Sequence, residues 1–271
     1  MPGPDFIESL ARGLDVIRAF GPAYRTMSLS DVAAATGLAR PTARRILLTL
    51  AELGYVRGSG GEFELTPRVL ELGMSYISSS ELWTVTRPRL EELVAATGES
   101  CSIAQLDGSD IVYVARVAVP KLVTLSVTIG TRFPALPTSL GKVLLASLPP
   151  AELAAALATP SRSGLTPSWQ PSPAEIDAEL RSVRAKGWAL TDQQLAPGIR
   201  SVAAPVRNGD GRVVAALNVN AHAAETGVET LTESYLPALL RIAGDLSSDW
   251  ALWESRPVRS ADVRPTQVSG G

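Results

Sequence analysis

Arginines recur along one short segment in the first quarter of the sequence. Between positions 40 and 57, Arg40, Arg44, Arg45 and Arg57 are accompanied by a single acidic residue, Glu52. A guanidinium group binds phosphate and can donate two hydrogen bonds to O6 and N7 of guanine. The segment therefore predicts a cationic face that reads DNA, although a solvated helix face is the commoner explanation for an isolated basic run.

Polar side chains also recur on one side of a predicted strand near the end of the chain. Asn218 and Asn220 share strand parity, whereas Val219 points the other way. If their side is buried, the amides need partners, which a polar ligand, neighbouring backbone or trapped water could supply. Arg132 is a candidate to bind a ligand carboxylate with two hydrogen bonds, and a structural ion pair or a surface site is its alternative role.

Cys101 and His222 are the single cysteine and the single histidine of the chain. An internal disulfide is impossible, and two such residues do not supply the ligand set of a zinc site, so we expect no metal and no cofactor. Cys101 shares parity with Ile103 and Gln105 on a predicted strand, so it could line a pocket or fill a small space in the core.

Motifs of common enzyme classes are missing. The sequence has no Gly-x-Ser-x-Gly elbow, no Walker phosphate loop and no Gly-x-Gly-x-x-Gly after a strand, and its one histidine restricts any catalytic triad to one base. We therefore expect a protein that is not an enzyme. A metabolite-converting enzyme or a sensor that works through its second domain alone is the alternative.

The composition fits a globular protein of more than one domain. The 271 residues are 45% hydrophobic, with 25 Lys and Arg against 27 Asp and Glu, a net charge of −2. This balance argues against coating of nucleic acid by bulk charge, but it leaves room for a local basic patch. With no apolar stretch of the length that a bilayer requires and no export signal, we expect a cytoplasmic protein that does not enter a membrane.

Three predicted helices position the first arginines. Apolar spacing indicates helices over residues 7–20, from Ser28 to Gly37, and over residues 39–53. Ser28 followed by Asp31 is an N-terminal cap signature, and Gly37 suits a left-handed helix end. The last two helices and the turn between them predict a helix-turn-helix unit, whose third helix would enter the major groove.

A hairpin and a further helix are predicted next. Strand-like runs at residues 55–57 and 62–65 enclose a glycine-rich tip and predict a wing, with Arg57 over phosphates or the minor groove. A linker helix over residues 67–86 follows. Its apolar side chains could contact a second copy of the chain or pack on its own domain; they are Tyr76, Ile77, Leu82 and Trp83.

The rest of the chain alternates strands with helices. Strands are predicted at residues 100–106, 111–117, 122–127, 201–207 and 212–220, and helices near residues 87–97, 139–148, 151–158, 174–186 and 229–253. We expect a mixed sheet flanked by helices. The predicted α+β chain thus has a winged helix-turn-helix at residues 1–66, a linker helix at 67–86, an α/β domain at 87–254 and a disordered tail at 255–271.

Several segments, spread over about residues 6–254, resemble the IclR family of bacterial transcriptional regulators. SLARGLDVIRAF and MSLSDVAAATGLARPTARRILLTLAELGYV resemble its DNA-binding domain. GTRFPALPTSLGKVLLA, KGWALTDQQLAPGIRSVAAPV and GRVVAALNVNAHA resemble its GAF-like effector-binding domain. GESCSIAQLDGSDIVYVARV is similar to the branch that regulates the β-ketoadipate pathway, in which protocatechuate and related aromatic acids are degraded.

The resemblance implies a homo-oligomer, a dimer or a dimer of dimers, that binds double-stranded operator DNA under the control of a small carboxylic acid. The expected DNA-binding residues are Ser28, Arg40, Pro41, Thr42, Arg44, Arg45, Thr49 and Arg57. By match of motif, effector contacts are expected at Thr138, Ser139, Thr191, Asp192, Ser201, Asn218 and Asn220, to which Cys101, Arg132 and Ile199 are added as candidate pocket residues.

Overall fold

The computed structural model describes residues 3–21, 24–79, 82–120 and 127–255. The chain divides into two compact units, Met1–Ser80 and Glu81–Gly271. No helix among the described residues is long and apolar enough to cross a bilayer. The predicted tail beyond Ser255 and most of the predicted strand at 122–127 lie outside the described residues.

The first unit contains the three predicted helices. They are α1 (Glu8–Ala19), α2 (Leu29–Thr36) and α3 (Arg40–Glu52). One core made of Val16, Val32, Ala43 and Leu47 holds them together. The helix-turn-helix prediction is confirmed.

Local sequence explains where α2 begins and ends. Ser28 Oγ accepts a hydrogen bond from the Asp31 backbone N–H, and the Asp31 carboxylate accepts one from the Ser28 backbone N–H, so both halves of a capping box are present. At the other end Gly37 has a φ of 65°, a left-handed conformation that costs glycine little. These two residues fix the short turn before α3.

The predicted wing belongs to a small antiparallel sheet. β2 (Val56–Ser59) and β3 (Glu62–Leu65) form the hairpin, and β1 (Thr26–Ser28) pairs with the other edge of β3. The residues at its tip, Gly60 and Gly61, both have positive φ. The sheet follows α3 in the chain, as a winged helix-turn-helix requires.

Two helices occupy the region where one linker helix is predicted. A short 3-10 turn, Pro67–Val69, leads into α4 (Leu70–Ser79), and α5 (Leu82–Thr97) begins after residues 80 and 81, which are outside the described residues. The predicted break before residue 87 is wrong, because α5 runs through it with Pro88 inside. Pro88 lies beyond the first turn of α5, so the helix continues through it without one of its backbone N–H hydrogen bonds.

The second unit is built on a six-stranded sheet in the order β6-β5-β4-β9-β8-β7. Its strands are β4 (Ser100–Asp107), β5 (Asp110–Val117), β6 (Arg132–Pro134), β7 (Ala189–Asp192), β8 (Ile199–Arg207) and β9 (Val213–His222). The expectation of a mixed sheet is wrong, since every described strand pair is antiparallel.

Helices cover both faces of this sheet. On one face α5 and the last helix, α9 (Leu236–Glu254), pack against an apolar core, and a short π-helical segment, Thr230–Tyr235, precedes α9. The other face carries α6 (Ser139–Ala146) and α8 (Pro173–Lys186), with α7 (Pro150–Ala158) beside them. The strands therefore present different side chains to two separate cores.

α6 lies unusually close to the chain that precedes it. A Cβ built on Gly141 would sit 2.0 Å from the carbonyl oxygen of Ala135, so only glycine fits. Thr138 caps the helix by accepting a hydrogen bond from the Gly141 N–H at 3.0 Å. This close approach fixes Ser139 at the first turn of α6.

Candidate functional site

The outer face of α3 carries the predicted cations. Ala43, Leu47 and Leu50 point into the core of the first unit, and the opposite side is exposed; it presents Arg40, Pro41, Arg44, Arg45 and Leu48. No salt bridge is recorded for these three arginines among the described residues. The helix therefore offers unneutralised guanidinium groups close to its positive N-terminal end.

The other predicted DNA contacts lie around this face. Thr42 and Thr49 line a groove between α3 and α1, together with Arg45. The Thr49 hydroxyl donates to the Arg45 carbonyl at 2.9 Å. Ser28 is engaged in the capping box of α2, so its hydroxyl serves the helix start.

Arg57 stands apart from the arginines of α3. It lies opposite Glu64 in the wing hairpin, and its Nε donates to the Glu64 carboxylate. A phosphate that contacts Arg57 has to compete with this carboxylate. The wing therefore offers less free positive charge than the sequence suggests.

A small polar cavity lies between the sheet and the start of α6. Most of the predicted effector contacts meet in its lining: Thr138, Ser139, Thr191, Ile199, Ser201, Asn218 and Asn220. The space that the centre of a water molecule can occupy there is about 20 Å³. One water needs roughly 10–15 Å³ on this scale, so the cavity as it stands holds one or two waters.

Strand register brings these polar residues into two rows on one face. Thr191, Ser201 and Asn220 are neighbours across β7, β8 and β9, and Ser100 of β4 continues the row. Side chains paired across antiparallel strands point to the same face. In the second row, Asn218 lies beside Ser102.

A chain of hydrogen bonds joins the sheet to α6 inside the cavity. Asn218 Nδ2 donates to Ser201 Oγ at 3.1 Å, and Ser201 Oγ lies 2.5 Å from Ser139 Oγ. Asn218 Oδ1 is buried and accepts no hydrogen bond from the part of the chain that the structure describes. The Thr138 hydroxyl is used within the α6 cap, where it donates to the Ala135 carbonyl at 2.9 Å.

Arg132 does not reach this cavity. Its guanidinium forms ion pairs with Asp107, at 2.5 Å, and with Asp110, at 3.4 Å. Asp110 also accepts hydrogen bonds from Ser161 and from the Arg162 backbone. The structure thus contradicts the role of Arg132 as a carboxylate contact and supports the structural ion pair.

Asp192 is also engaged elsewhere. Its carboxylate binds Arg200 through two contacts, at 2.7 and 3.2 Å, and it is absent from the cavity lining. The hydrogen bond from Arg200 holds the pKa of Asp192 below its ordinary value. Thr191, its neighbour, points the opposite way and lines the cavity.

Cys101 lies on the wrong side of the sheet for an effector contact. It belongs to the apolar core beneath α5 and α9, whereas Ser100 and Ser102 on either side face the cavity. Burial raises the pKa of its thiol to about 12. The prediction that Cys101 lines the pocket is wrong. Cys101 and Ile103 do share one face of β4, but that face is the one opposite the cavity.

Several residues at this cavity are not among those predicted from the sequence. Tyr113, Phe133, Pro137 and Leu195 line it, and Tyr113 meets Phe133 edge to face with ring centroids 5.8 Å apart. Arg116 and Ser102 lie beside it on the same face, joined by a hydrogen bond of 2.9 Å. An arginine inside an otherwise apolar strand, VYVARV, was the signal that could have revealed this group.

A bulge explains why parity alone does not find Arg116. Ile103 pairs with Ala115, but Ala104 pairs with Tyr113, so Val114 is an extra residue on β5. A bulge of this kind shifts the alternation of side chains by one position. Tyr113 and Arg116, three residues apart, therefore face the same side.

Both units match models of known protein families. Residues 9–60 match the IclR helix-turn-helix domain, and residues 74–248 match the model described as the C-terminal part of the bacterial transcriptional regulator IclR. The second match alone covers more than half of the chain.

Individual proteins are similar over almost the whole chain. The Pca regulon regulatory protein of Pseudomonas putida is 38% identical over 90% of this chain and 84% of its own length. A crystal structure of a transcriptional regulator from Rhodococcus sp. RHA1 has 49% identity and a TM-score of 0.78, covering 91% of this chain and 99% of that one.

The inducer-binding domain of PobR from Acinetobacter is similar to the second unit. Its double mutant was crystallised with 3-hydroxybenzoic acid. The identity is 30% and the TM-score 0.56, and the match covers 61% of this chain and 97% of that domain.

Proposed function

Because the chain belongs to the IclR family of bacterial transcriptional regulators, we propose that α3 reads its operator and that an aromatic acid in the α6 cavity controls the binding. The observation that carries the second half of this proposal is the set of buried polar side chains converging on one cavity. A regulator of bacterial transcription acts on the chromosome, so the proposal places the protein in the cytoplasm.

The exposed face of α3 supports DNA reading. Arg40, Arg44 and Arg45 lie within the first two turns, the part of a recognition helix that approaches base edges. Guanidinium groups without carboxylate partners remain free to bind phosphate or guanine. In this proposal Arg44 and Arg45 read bases, Arg40 and Thr42 bind phosphates, and Arg57 makes a weaker contact because of Glu64.

The polar cavity supports a small hydroxylated acid as effector. Ser139, Ser201 and Asn218 form a buried hydrogen-bond chain, and Tyr113 and Phe133 supply aromatic surface beside it. Such a lining suits a single ring with polar substituents. The likeness to the domain crystallised with 3-hydroxybenzoic acid favours this class of compound.

The small size of the cavity supports coupling between effector and DNA. A benzoic acid is larger than the one or two waters that fit, so the proposal requires the lining to move when the acid binds. β4 carries Ser102 on the cavity face and Cys101 and Ile103 on the other, where they join Leu90 and Leu93 of α5 in one core. Movement of β4 would reach α5, the helix that follows α4 in the chain.

Exposed apolar side chains support assembly of two or more copies. In the first unit, the exposed side chains of Leu10, Leu14, Leu53 and Leu72 line one groove, an apolar patch, and Met74 and Tyr76 are exposed further along α4. Patches of this kind on a water-soluble domain usually mark an interface. One recognition helix covers few base pairs, so a second copy about one DNA turn away supplies the specificity that an operator needs.

The experiment uses duplexes selected from a random library by the full-length protein. Operator affinity is then measured by fluorescence anisotropy without ligand and with 4-hydroxybenzoate, 3,4-dihydroxybenzoate or the neutral 4-hydroxybenzamide. We expect at least one acid to change the operator Kd about 5-fold or more, the ordinary range of allosteric coupling, and the amide to have little effect. Failure to enrich any duplex contradicts DNA reading, and unchanged affinity with both acids contradicts the effector class.

Chromatography of the same mixtures tests the proposal that the protein binds the acid without converting it. Excess acid incubated with the protein should be recovered unchanged. Consumption of the acid at catalytic protein concentration would instead favour an enzyme.

A further inference from the structure

We infer that Arg116, held by Ser102, binds the carboxylate of the effector, and that Asn218 accepts a hydrogen bond from its hydroxyl group. This inference rests on the proposed function and deepens it, because it specifies which chemical groups the ligand must carry. Arg116 is not one of the effector contacts expected from the family resemblance, and it is not among the residues that line the cavity.

Arg116 lies on the face of β5 that carries the cavity, because it is the register partner of Ser102, which in turn pairs with Asn218. Its Nη1 donates to Ser102 Oγ at 2.9 Å, and Ser102 lies on β4, the strand between β5 and β9. The guanidinium group therefore lies over β4, and Asn218 is the register partner of Ser102 on the next strand, β9. Its charge also reaches Tyr113 in the cavity lining: burial raises the pKa of Tyr113 to about 12, and Arg116 offsets part of that rise.

Within the described ranges, the guanidinium group has no carboxylate partner. Arg116 Nε is buried and has no hydrogen-bond partner, and no carboxylate among the described residues pairs with this side chain. Burial is the main cause that lowers the pKa of Arg116, as expected for a desolvated cation without a counter-charge. Arginine nevertheless stays protonated in proteins, so an anionic ligand is the natural partner.

Asn218 supplies the hydrogen-bond acceptor for the hydroxyl group. Its side chain is 2% exposed, Nδ2 donates to Ser201, and Oδ1 has no donor among the residues that the structure describes. A buried acceptor of this kind costs free energy until a donor reaches it. A carboxylate satisfies Arg116 but not Asn218 Oδ1, so the ligand that satisfies both is a hydroxy acid.

Arg132 serves as a comparison for Arg116, because its charge partners are carboxylates of the protein. It lies on the neighbouring strand β6, and both Asp107 and Asp110 neutralise it. The two arginines therefore form a matched pair: Arg132 has carboxylate partners, and Arg116 has none among the described residues.

The test compares ligand affinities of full-length wild type, Arg116→Gln and Arg132→Gln by calorimetry. The ligands are the effective acid from the operator experiment and its neutral amide. We expect Arg116→Gln to weaken binding of the acid by about 10- to 100-fold, the loss of one charge-assisted contact, and to change binding of the amide little. Arg132→Gln should keep the wild-type ratio of the two affinities.

Two further comparisons address the remaining parts of the inference. Asn218→Ala should reduce the preference for the hydroxy acid over the same acid without its hydroxyl group. Arg116→Lys, which retains a charge but not the planar fork, should give an intermediate loss for the acid.

The outcomes separate this inference from the proposed function. Binding of the acid by wild type with the same acid-to-amide ratio in Arg116→Gln overturns the role of Arg116 alone. Equal affinity of wild type for acid and amide overturns it without any variant, which covers the case that Arg116→Gln fails to fold. Lack of binding of every acid by wild type overturns the effector class and this inference together.

Discussion

Lys142 is a fully buried cation in α6, on the side away from solvent. Its Nζ lies 2.5 Å from Glu179 Oε1 and 4.9 Å from the centre of the Trp169 ring. Burial lowers the pKa of Lys142, and the hydrogen bond with Glu179 offsets part of that effect. The lysine thus depends on one carboxylate, which itself is partly exposed.

Removing the carboxylate should cost more than removing the lysine. We expect Glu179→Gln to lower the free energy of unfolding by about 1 to 3 kcal/mol, because an unpaired cation stays buried. Lys142→Met should remain within about 1 kcal/mol of wild type, because Glu179 can be hydrated. Urea unfolding measures both, and the reverse order would contradict this account of the pair.

The defect of Glu179→Gln should shrink as pH rises. Without Glu179 the pKa of Lys142 in the folded state falls further below the unfolded value, so the unfolded chain binds more protons between the two values. Stability therefore rises with pH in that window. Urea unfolding at about pH 7 and about pH 9.5 checks the trend, and a constant difference from wild type would oppose it.

Arg44 is the residue to test for DNA reading. Arg44→Ala should weaken binding to the selected operator by about 1 to 3 kcal/mol and relax the preference at one base position. Arg18→Ala is the matched control, since Arg18 is an exposed arginine of the same unit that pairs with Asp15 in α1. Anisotropy measures both variants, and equal losses on operator and random duplex would indicate a phosphate contact instead.

Among the elements, α6 depends most on its close contact with the preceding chain. Gly141→Ala should push α6 away from Ala135, lower the unfolding free energy by about 1 to 3 kcal/mol and weaken effector binding through Ser139. Gly244→Ala is the control, because nothing lies near the position of a Cβ in that part of α9. It should be neutral or stabilising by up to about 1 kcal/mol, since glycine is unfavourable inside a helix. Thermal melts and ligand titrations separate the two, and equal stability of both variants would argue against the clash.

Elements whose ends carry strong local signals could be predicted from the sequence. Elements that form only by pairing with a distant strand could not. The capping box at Ser28 and the left-handed Gly37 are local, so α2 was found with its limits. β6 and β7 are short strands that depend on pairing with β5 and β8, so the sequence alone does not predict them. At the cavity, the polar side chains of β8 and β9 followed simple alternation, whereas Arg116 was missed because the bulge at Val114 arises from pairing with β4.

For the whole molecule, the apolar patch of the first unit predicts how copies assemble. Leu14 in α1 is 40% exposed and Leu157 in α7 of the second unit is 41% exposed, so the two leucines form a matched pair. We expect Leu14→Glu to dissociate the oligomer and weaken operator binding, and Leu157→Glu to do neither. Analytical ultracentrifugation measures the assembly, and identical behaviour of both variants would move the interface elsewhere.

The burial of Cys101 has a practical consequence for following this regulator in action. Its thiol is the only one in the chain and is fully buried, and burial raises its pKa to about 12, so we expect little reaction with maleimide or nitroxide reagents at neutral pH. A variant such as Ser59→Cys, at the exposed wing, would therefore carry the sole reactive sulfur without prior removal of the native one. Paired spin labels on two copies could then report the distance between wings with and without the acid.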